Sequence, residues 1–277
     1  MFNFCANVFG YLLNAIYNVV NNYGLAIIIF TIILKVVMLP VSIKQQRTLK
    51  KTSKLQAQVK EIQVKYSNDQ VRQSQELMDL YKRENMSPFS GCLGSIVQFI
   101  IILSVFYLIS SPLTYMKHVD PELLNKYTQQ IQENTDEAIR YREIAIIKEM
   151  SDVDEKVRLN MDFLGLDLSD VPSQNYSDWK VFIIPGLYVL TSLLSMKLTT
   201  MLTKKTENKE IIVQETPKEK EEDAMEEMNR QLNLMMPIMT VSIALIAPLG
   251  LALYWLVSNL LMIGERLIMN KLFKEEE

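Results

Sequence analysis

Chemistry-bearing residues are scarce in this sequence. The two cysteines, Cys5 and Cys92, stand far apart in unlike contexts and make neither a disulfide framework nor a zinc site. His118 is the sole histidine and cannot build a histidine metal site alone. No glycine is followed by lysine, so the phosphate-cradling loop of ATP-driven pumps is missing. No metal, no cofactor and no enzymatic activity are expected. A net charge of −3 gives no global basic field, so no specific nucleic-acid recognition is expected either. The N-terminus lacks a basic stretch with a small-residue cleavage site and is expected to be retained.

Charge itself is missing over long stretches. Residues 2–34 carry none, and neither do residues 231–264. Hydrophobic residues make up 49% of the chain and gather in a few long runs, with charges concentrated between them. A membrane span needs about 20 mainly apolar residues, so the pattern is that of a polytopic helical membrane protein.

The first uncharged run is too long for one perpendicular span. Asn3, Asn7, Asn14, Asn18 and Asn21 fall on one helical face, opposite Phe4, Val8, Leu12, Ile16 and Val19. This spacing predicts an amphipathic helix in the membrane interface over residues 1–22. The other reading is the first half of a long tilted span. "NNYG" at 21–24 breaks the run, and a first span is expected over 23–43, ending near Pro40.

Lys44, Arg47, Lys50, Lys51 and Lys54 follow with no acidic residue among them, which places this end in the cytoplasm and the N-terminus outside. Residues 44–88 read as a cytoplasmic helical hairpin. Leu55, Val59, Ile62 and Tyr66 form one seam, "YSND" at 66–69 the turn, and Val71, Met78 and Tyr81 the facing stripe. "MSP" at 86–88 closes it.

A second span is expected over 91–112. Residues 113–180 form a polar segment with eight Lys/Arg against fourteen Asp/Glu, suited to the outside. It holds helical stretches around 120–150, then "FLGLDLSD", an amphipathic return toward the membrane. A third span covers 181–202, and a Lys/Glu-rich cytoplasmic loop covers 203–231. "APLG" at 247–250 divides the last apolar run into spans at 232–247 and 249–269, with a tail at 270–277 in the cytoplasm.

Polar residues run in stripes along these spans. Thr31 and Lys35 share a face of the first; Ser95 and Gln98, of the second; Tyr188, Thr191, Ser195 and Thr199, of the third. Thr240 and Ser242 mark the fourth, and Trp255, Ser258 and Asn259 the fifth. Close helix packing is the ordinary role of small hydroxyl residues in membranes. Gln98 stands out, because a buried amide needs partners. Lys35 is the strongest signal. Snorkelling shortens its path to water, but a lipid-facing ammonium still costs about 3 kcal/mol or more. No expected span holds a carboxylate deep enough to pair with it. A hydrated cavity open to the cytoplasm resolves this, and its positive charge would favour polar or acidic segments.

Several blocks carry a resemblance. "FTIILKVVMLPVSIKQQRTLKKTSKLQ", "LYKRENMSPFSGCLGSIVQFIIILSVFYLIS", "FLGLDLS", "IIPGLYVLTSLLSMKLT" and "MNRQLNLMMPIMTVSIALIAPLGLALYWLVSNLL" resemble, in order, conserved blocks of the YidC/Oxa/Alb family of membrane protein insertases in its bacterial form. The resemblance covers most of the chain, with 113–150 the poorly matched part. It implies an all-α membrane protein with five transmembrane helices around a hydrophilic groove, closed on the outer side. Lys35 occupies the position of the family's groove arginine, keeping the charge without the bidentate fork. Ser195 stands where many relatives have glutamine.

The expected groove residues are Lys35, Thr31, Ser95, Gln98, Thr191, Ser195, Trp255, Ser258 and Asn259. The hairpin cations Lys44, Arg47, Lys50, Lys51, Lys54, Lys82 and Arg83 would recruit substrate. The implied partners are nascent membrane proteins and membrane lipids, with the ribosome, the signal recognition particle pathway and the Sec translocon as further candidates. The implied location is a bacterial plasma membrane. Two alternatives remain open at this point: a small-solute or ion transporter, and a membrane-protein assembly factor that does not translocate.

Overall fold

The uncharged N-terminal run folds as two helices because two asparagines break it. Helix α1 (Phe2–Val20) ends at Asn21, whose φ of 48° lies in the left-handed region that asparagine tolerates. Asn22 then caps α2 (Tyr23–Lys65), its side-chain oxygen accepting from the Leu25 N–H at 3.0 Å. The computed structural model describes residues 2–84, 90–134, 139–207 and 241–275. The expected closure at 86–88, residues 208–231 of the loop, most of the span at 232–247 and the end of the tail lie outside them.

Helix α1 has three faces rather than two. Ala6, Gly10, Leu13 and Tyr17 are buried where it packs against α2 and two later helices. The asparagines flank this stripe, while Phe4, Val8, Leu12 and Val19 are exposed on the far side. The reading from the sequence missed this face, since two of its four residues, Ala6 and Gly10, leave little trace in a hydrophobicity pattern.

Helix α2 does not stop at Pro40. It runs 43 residues with that proline inside it, so the apolar segment and the first arm of the hairpin are one helix. Pro40 is exposed, which leaves the carbonyl it frees able to reach other partners. The Lys-, Gln- and Leu-rich sequence beyond it favours helix. The chain turns at 66–69 into α3 (Gln70–Arg83), capped by the Asp69 carboxylate on the Arg72 N–H at 3.0 Å. Leu55, Val59 and Leu80 are buried between the arms, with Ile62, Leu77 and Tyr81 against them. The facing stripe is therefore Leu77, Leu80 and Tyr81; Val71 and Met78, expected in it, are exposed.

Helix α4 (Ser90–Ser110) ends just before Pro112, which opens the short α5 (Pro112–Tyr115). Helices α6 (Pro121–Glu133) and α7 (Arg142–Met150) follow. Then comes a two-stranded hairpin, β1 (Asp162–Phe163) with β2 (Leu166–Asp167). Its turn residues Leu164 and Gly165 both have positive φ, 55° and 78°, the geometry that two-residue hairpin loops favour. "FLGLDLSD" thus begins as a strand pair. Helix α8 (Ile183–Glu207) and helical residues 241–246 come next, and α9 (Leu249–Glu275) ends the described chain.

Residues 112–134 and 139–182 make a cap fixed to the helix ends by hydrogen bonds. The Asn160 N–H donates to the Tyr17 hydroxyl, and the Tyr23 N–H to the Asn160 carbonyl, both at 2.9 Å. Asn22 donates to the Asp162 carbonyl at 2.6 Å. The first N–H groups of α9 are satisfied likewise, Leu249 by the Asp170 carbonyl at 2.9 Å and Gly250 by Leu168 at 3.0 Å. These bonds hold the starts of α2 and α9 at one end, so both helices run away from the cap.

One core joins the cap to the neighbouring parts of the helices. Leu113, Met116, Leu124, Ile146, Val157 and Leu168 pack with Tyr23, Phe30, Leu108, Ile109, Leu249 and Leu253. Farther from the cap the apolar side chains are exposed: Val36, Val37 and Leu39 on α2, Ile96 and Phe99 on α4, Leu193 and Leu194 on α8, Leu260 and Leu267 on α9. Three described segments are long and apolar enough to cross a membrane, namely Tyr23–Thr48, Trp179–Leu198 and Leu249–Lys271.

Candidate functional site

Helix α9 packs against both α2 and α8, so its two flanks meet two sets of polar residues. On the α2 side, Thr31 and Lys35 lie one turn apart. Thr31 is buried, and its hydroxyl donates to the Ile27 carbonyl at 2.6 Å, satisfied within its own helix. Lys35 is not the unpaired cation that the sequence suggested. Its Nζ lies 3.7 Å from Oε2 of Glu265 on α9, with 20% and 12% of the two side chains exposed. The expectation that no carboxylate reaches Lys35 is corrected here. Glu265 is the first charged residue after the uncharged run 231–264, and sequence distance hid the match in depth.

That match follows from helix geometry. Lys35 lies roughly 18 Å along α2 from its capped start, and Glu265 roughly 24 Å along α9, at 1.5 Å per residue. The difference, about 6 Å at this rise, is within the reach of the two side chains. Ser258, seven residues before Glu265, shares its face and contacts the hydroxyl of buried Tyr254.

On the α8 side, the buried Asn259 amide donates to the Thr191 hydroxyl at 3.2 Å and to the Ser192 hydroxyl at 3.0 Å. The Thr191 hydroxyl donates to the Tyr188 carbonyl at 2.9 Å. Trp255 lies half-buried against Tyr188, ring centroids 5.8 Å apart. Ser195 is buried farther along α8. Tyr188, read on the same stripe as Thr191, joins this cluster, and so does Ser192, which was not singled out. The only hint for Ser192 was its place between Thr191 and Ser195.

The remaining residues stand elsewhere. Gln98 is exposed on α4 beside Val97 and Phe99, not buried as the sequence reading supposed. Ser95 lies on α4, but its side chain is outside the described set. Lys44, Arg47 and Lys51 are exposed along α2, and Lys82 and Arg83 on α3, where Lys82 sits 3.8 Å from Asp79. Lys50 and Lys54 lie on α2 with side chains outside the described set. No group of three or more metal-binding side chains occurs among the described residues.

The cap holds a second buried charge. Glu143 on α7 is 3% exposed and accepts from the Thr114 N–H at 2.9 Å and from the Thr114 hydroxyl. Burial pushes its carboxyl above the usual carboxylate range, opposed by the Thr114 bonds. It closes the N-terminus of α5, where Ser111 makes no side-chain cap.

Comparison with known proteins adds the following. The family model for the 60Kd inner membrane protein matches residues 15–276. The chain is similar to the membrane protein insertase YidC of Syntrophus aciditrophicus, 28% identical over 94% of this chain and 35% of that protein. It is similar to the proteins of the same name from Fusobacterium nucleatum, 32% identical over 44% of this chain and 63% of that protein, and Wigglesworthia glossinidia brevipalpis, 40% identical over 36% and 18%. The chain thus spans less than two thirds of the length of each. With the apolar helices, these similarities make this an all-α, multi-pass membrane protein.

Proposed function

The chain belongs to the 60Kd inner membrane protein family, and from that premise we propose that it inserts nascent proteins into a bacterial plasma membrane and helps them fold there, without enzymatic chemistry. Five spans, the fourth over 232–247 and the fifth over 249–269, surround a groove that opens at the hairpin end. The N-terminus lies outside, and the hairpin and C-terminus lie in the cytoplasm, in keeping with the basic run after the first span.

The observation that supports the groove is the asymmetry of packing. The helices share one core at the cap end, whereas beyond Leu34 and Asn259 many of their apolar side chains are exposed, among them Val36, Val37, Leu39, Leu260 and Leu267. Polar side chains on α2, α8 and α9 stand near that transition. A substrate's polar segment would pass along Lys35, Thr31, Ser95, Gln98, Thr191, Ser195, Trp255, Ser258 and Asn259 while its apolar helix slides into lipid. A shorter, wetter path lowers the desolvation cost of polar groups. The exposed cations of the hairpin would receive the chain, from the ribosome, the signal recognition particle pathway or the Sec translocon.

The test is reconstitution of the full chain in vesicles with a single-span substrate. Insertion is expected with the unaltered chain and with Lys35→Arg, and loss with Lys35→Ala. Failure of the unaltered chain to insert any of several substrates overturns the reading, and ion flux through substrate-free vesicles would point to a transporter instead.

A further inference from the structure

Resting on that reading, we infer that Glu265 is a built-in counter-ion that occupies the place of an acidic substrate group at Lys35, and so sets how strongly the groove prefers acidic segments. Four observations lead there. The pair is mostly sheltered, with 20% of the Lys35 side chain and 12% of the Glu265 side chain exposed. Removing one partner of such a pair would leave an uncompensated charge. Its separation of 3.7 Å exceeds hydrogen-bond contact, so the carboxylate neutralises the ammonium without locking it. Glu265 is also the only acidic residue within the three apolar segments Tyr23–Thr48, Trp179–Leu198 and Leu249–Lys271, so within them no second carboxylate could take its place. Finally, α2 and α9 are fixed at the cap but flanked by exposed side chains at this level, where an entering chain has access.

The consequence is competition. A tethered carboxylate acts at high effective concentration, and an incoming aspartate or glutamate must displace it. A neutral polar segment gains less from the ammonium, a charge-assisted hydrogen bond without neutralisation of the charge. Glu265 thereby lowers the preference for acidic over neutral segments, and it stabilises Lys35 while the groove is empty.

The experiment compares two single-span substrates that differ only in two outer-segment aspartates replaced by asparagines. Full-length chains carrying Glu265→Gln, and Lys35→Gln with Glu265→Gln, are reconstituted in vesicles beside the unaltered chain. The acidic-to-neutral ratio of insertion rates should rise about three- to five-fold in Glu265→Gln, as expected for a partly exposed pair, and fall to about one in the double variant. An unchanged ratio in folded Glu265→Gln overturns the inference. If that variant does not fold, Glu265→Asp retracts the carboxylate while keeping the charge, and the ratio should rise less but in the same direction; no rise overturns the inference. A second arm needs no insertion. Binding of an aspartate peptide and its asparagine counterpart to the detergent-purified chain is read by fluorescence anisotropy. Only the acidic peptide should tighten in Glu265→Gln, and equal binding across the variants overturns the counter-ion. Vesicles in which nothing inserts would sink the insertase reading and leave this arm to decide the role of Glu265.

Discussion

Gly10 lies flush against Tyr115. A Cβ at position 10 would stand 1.9 Å from the Tyr115 carbonyl oxygen and 2.6 Å from its carbon, so α1 and α5 touch backbone to backbone. Neither atom is the end of a flexible side chain that could swing aside. Gly10→Ala should therefore force α1 off the cap and cost about 1–3 kcal/mol, read as a lowered unfolding midpoint in detergent. Gly186→Ala is the control: nothing lies within 4 Å of that Cβ, and alanine in place of glycine within a helix should be neutral or stabilising.

Glu143 makes the cap pH-sensitive in a defined direction. Burial raises its folded-state pKa above the unfolded value. A carboxyl of this kind adds stability that is complete below the unfolded pKa and lost as pH rises through the folded one. Opening of the α5–α7 contact, followed as hydrogen-exchange protection at 112–116 and 142–150 corrected for the intrinsic exchange rate at each pH, should become rarer as the buffer is acidified from neutrality toward pH ~4.5. Glu143→Gln, which keeps an acceptor for the Thr114 N–H, should abolish that dependence. A pH dependence that survives the substitution would assign it to another group.

Leu80 carries the hairpin seam. It is 1% exposed and packs, among the described residues, with Leu55, Val59 and their half-buried neighbours. Leu80→Ala should cost about 2–3 kcal/mol, enough to release α3 from so small a seam while the apolar helices stay intact. Hydrogen exchange across Gln70–Arg83 would rise sharply. Val71→Ala and Met78→Ala, at exposed positions, should leave it unchanged.

Asn259 ties α9 to α8 through two hydroxyls, Thr191 and Ser192. Hydrogen bonds between membrane helices average about 0.6 kcal/mol. Asn259→Ala should thus weaken the helix pair by roughly 1 kcal/mol, and Thr191→Val combined with it should cost less than the sum of the two alone. A double-mutant cycle by unfolding in bicelles measures the coupling; strict additivity would show that the contact carries no energy.

What was legible in the sequence was local. The break at Asn21–Asn22 and the turn at 66–69 follow from residues that cap or interrupt a helix where they stand. The Leu55, Val59 and Ile62 seam follows from spacing within one segment. The opposing stripe did not, because Leu77 and Leu80 versus Val71 and Met78 is a choice of helix rotation that only docking makes. Pro40 misled for a similar reason: its local cost is real, but an exposed site and strong helix formers beyond it let the helix continue. For the candidate site, Thr31, Lys35, Thr191, Trp255 and Asn259 were identifiable as polar residues on helix faces, and Ser192 and Glu265 were not singled out.

By itself the sequence determined which segments are apolar enough for a membrane, where the chain must leave helix, and that a cation stands inside the first apolar helix. These depend on composition and on residues within a few turns of each other. Only the tertiary structure decided what that cation meets. The phases of α2 and α9, both started from the same cap, bring Lys35 and Glu265 to matching depth on facing sides. A pairing of that kind is set by where two distant helices begin and how each is rotated. Neither is written in the hydropathy of either segment.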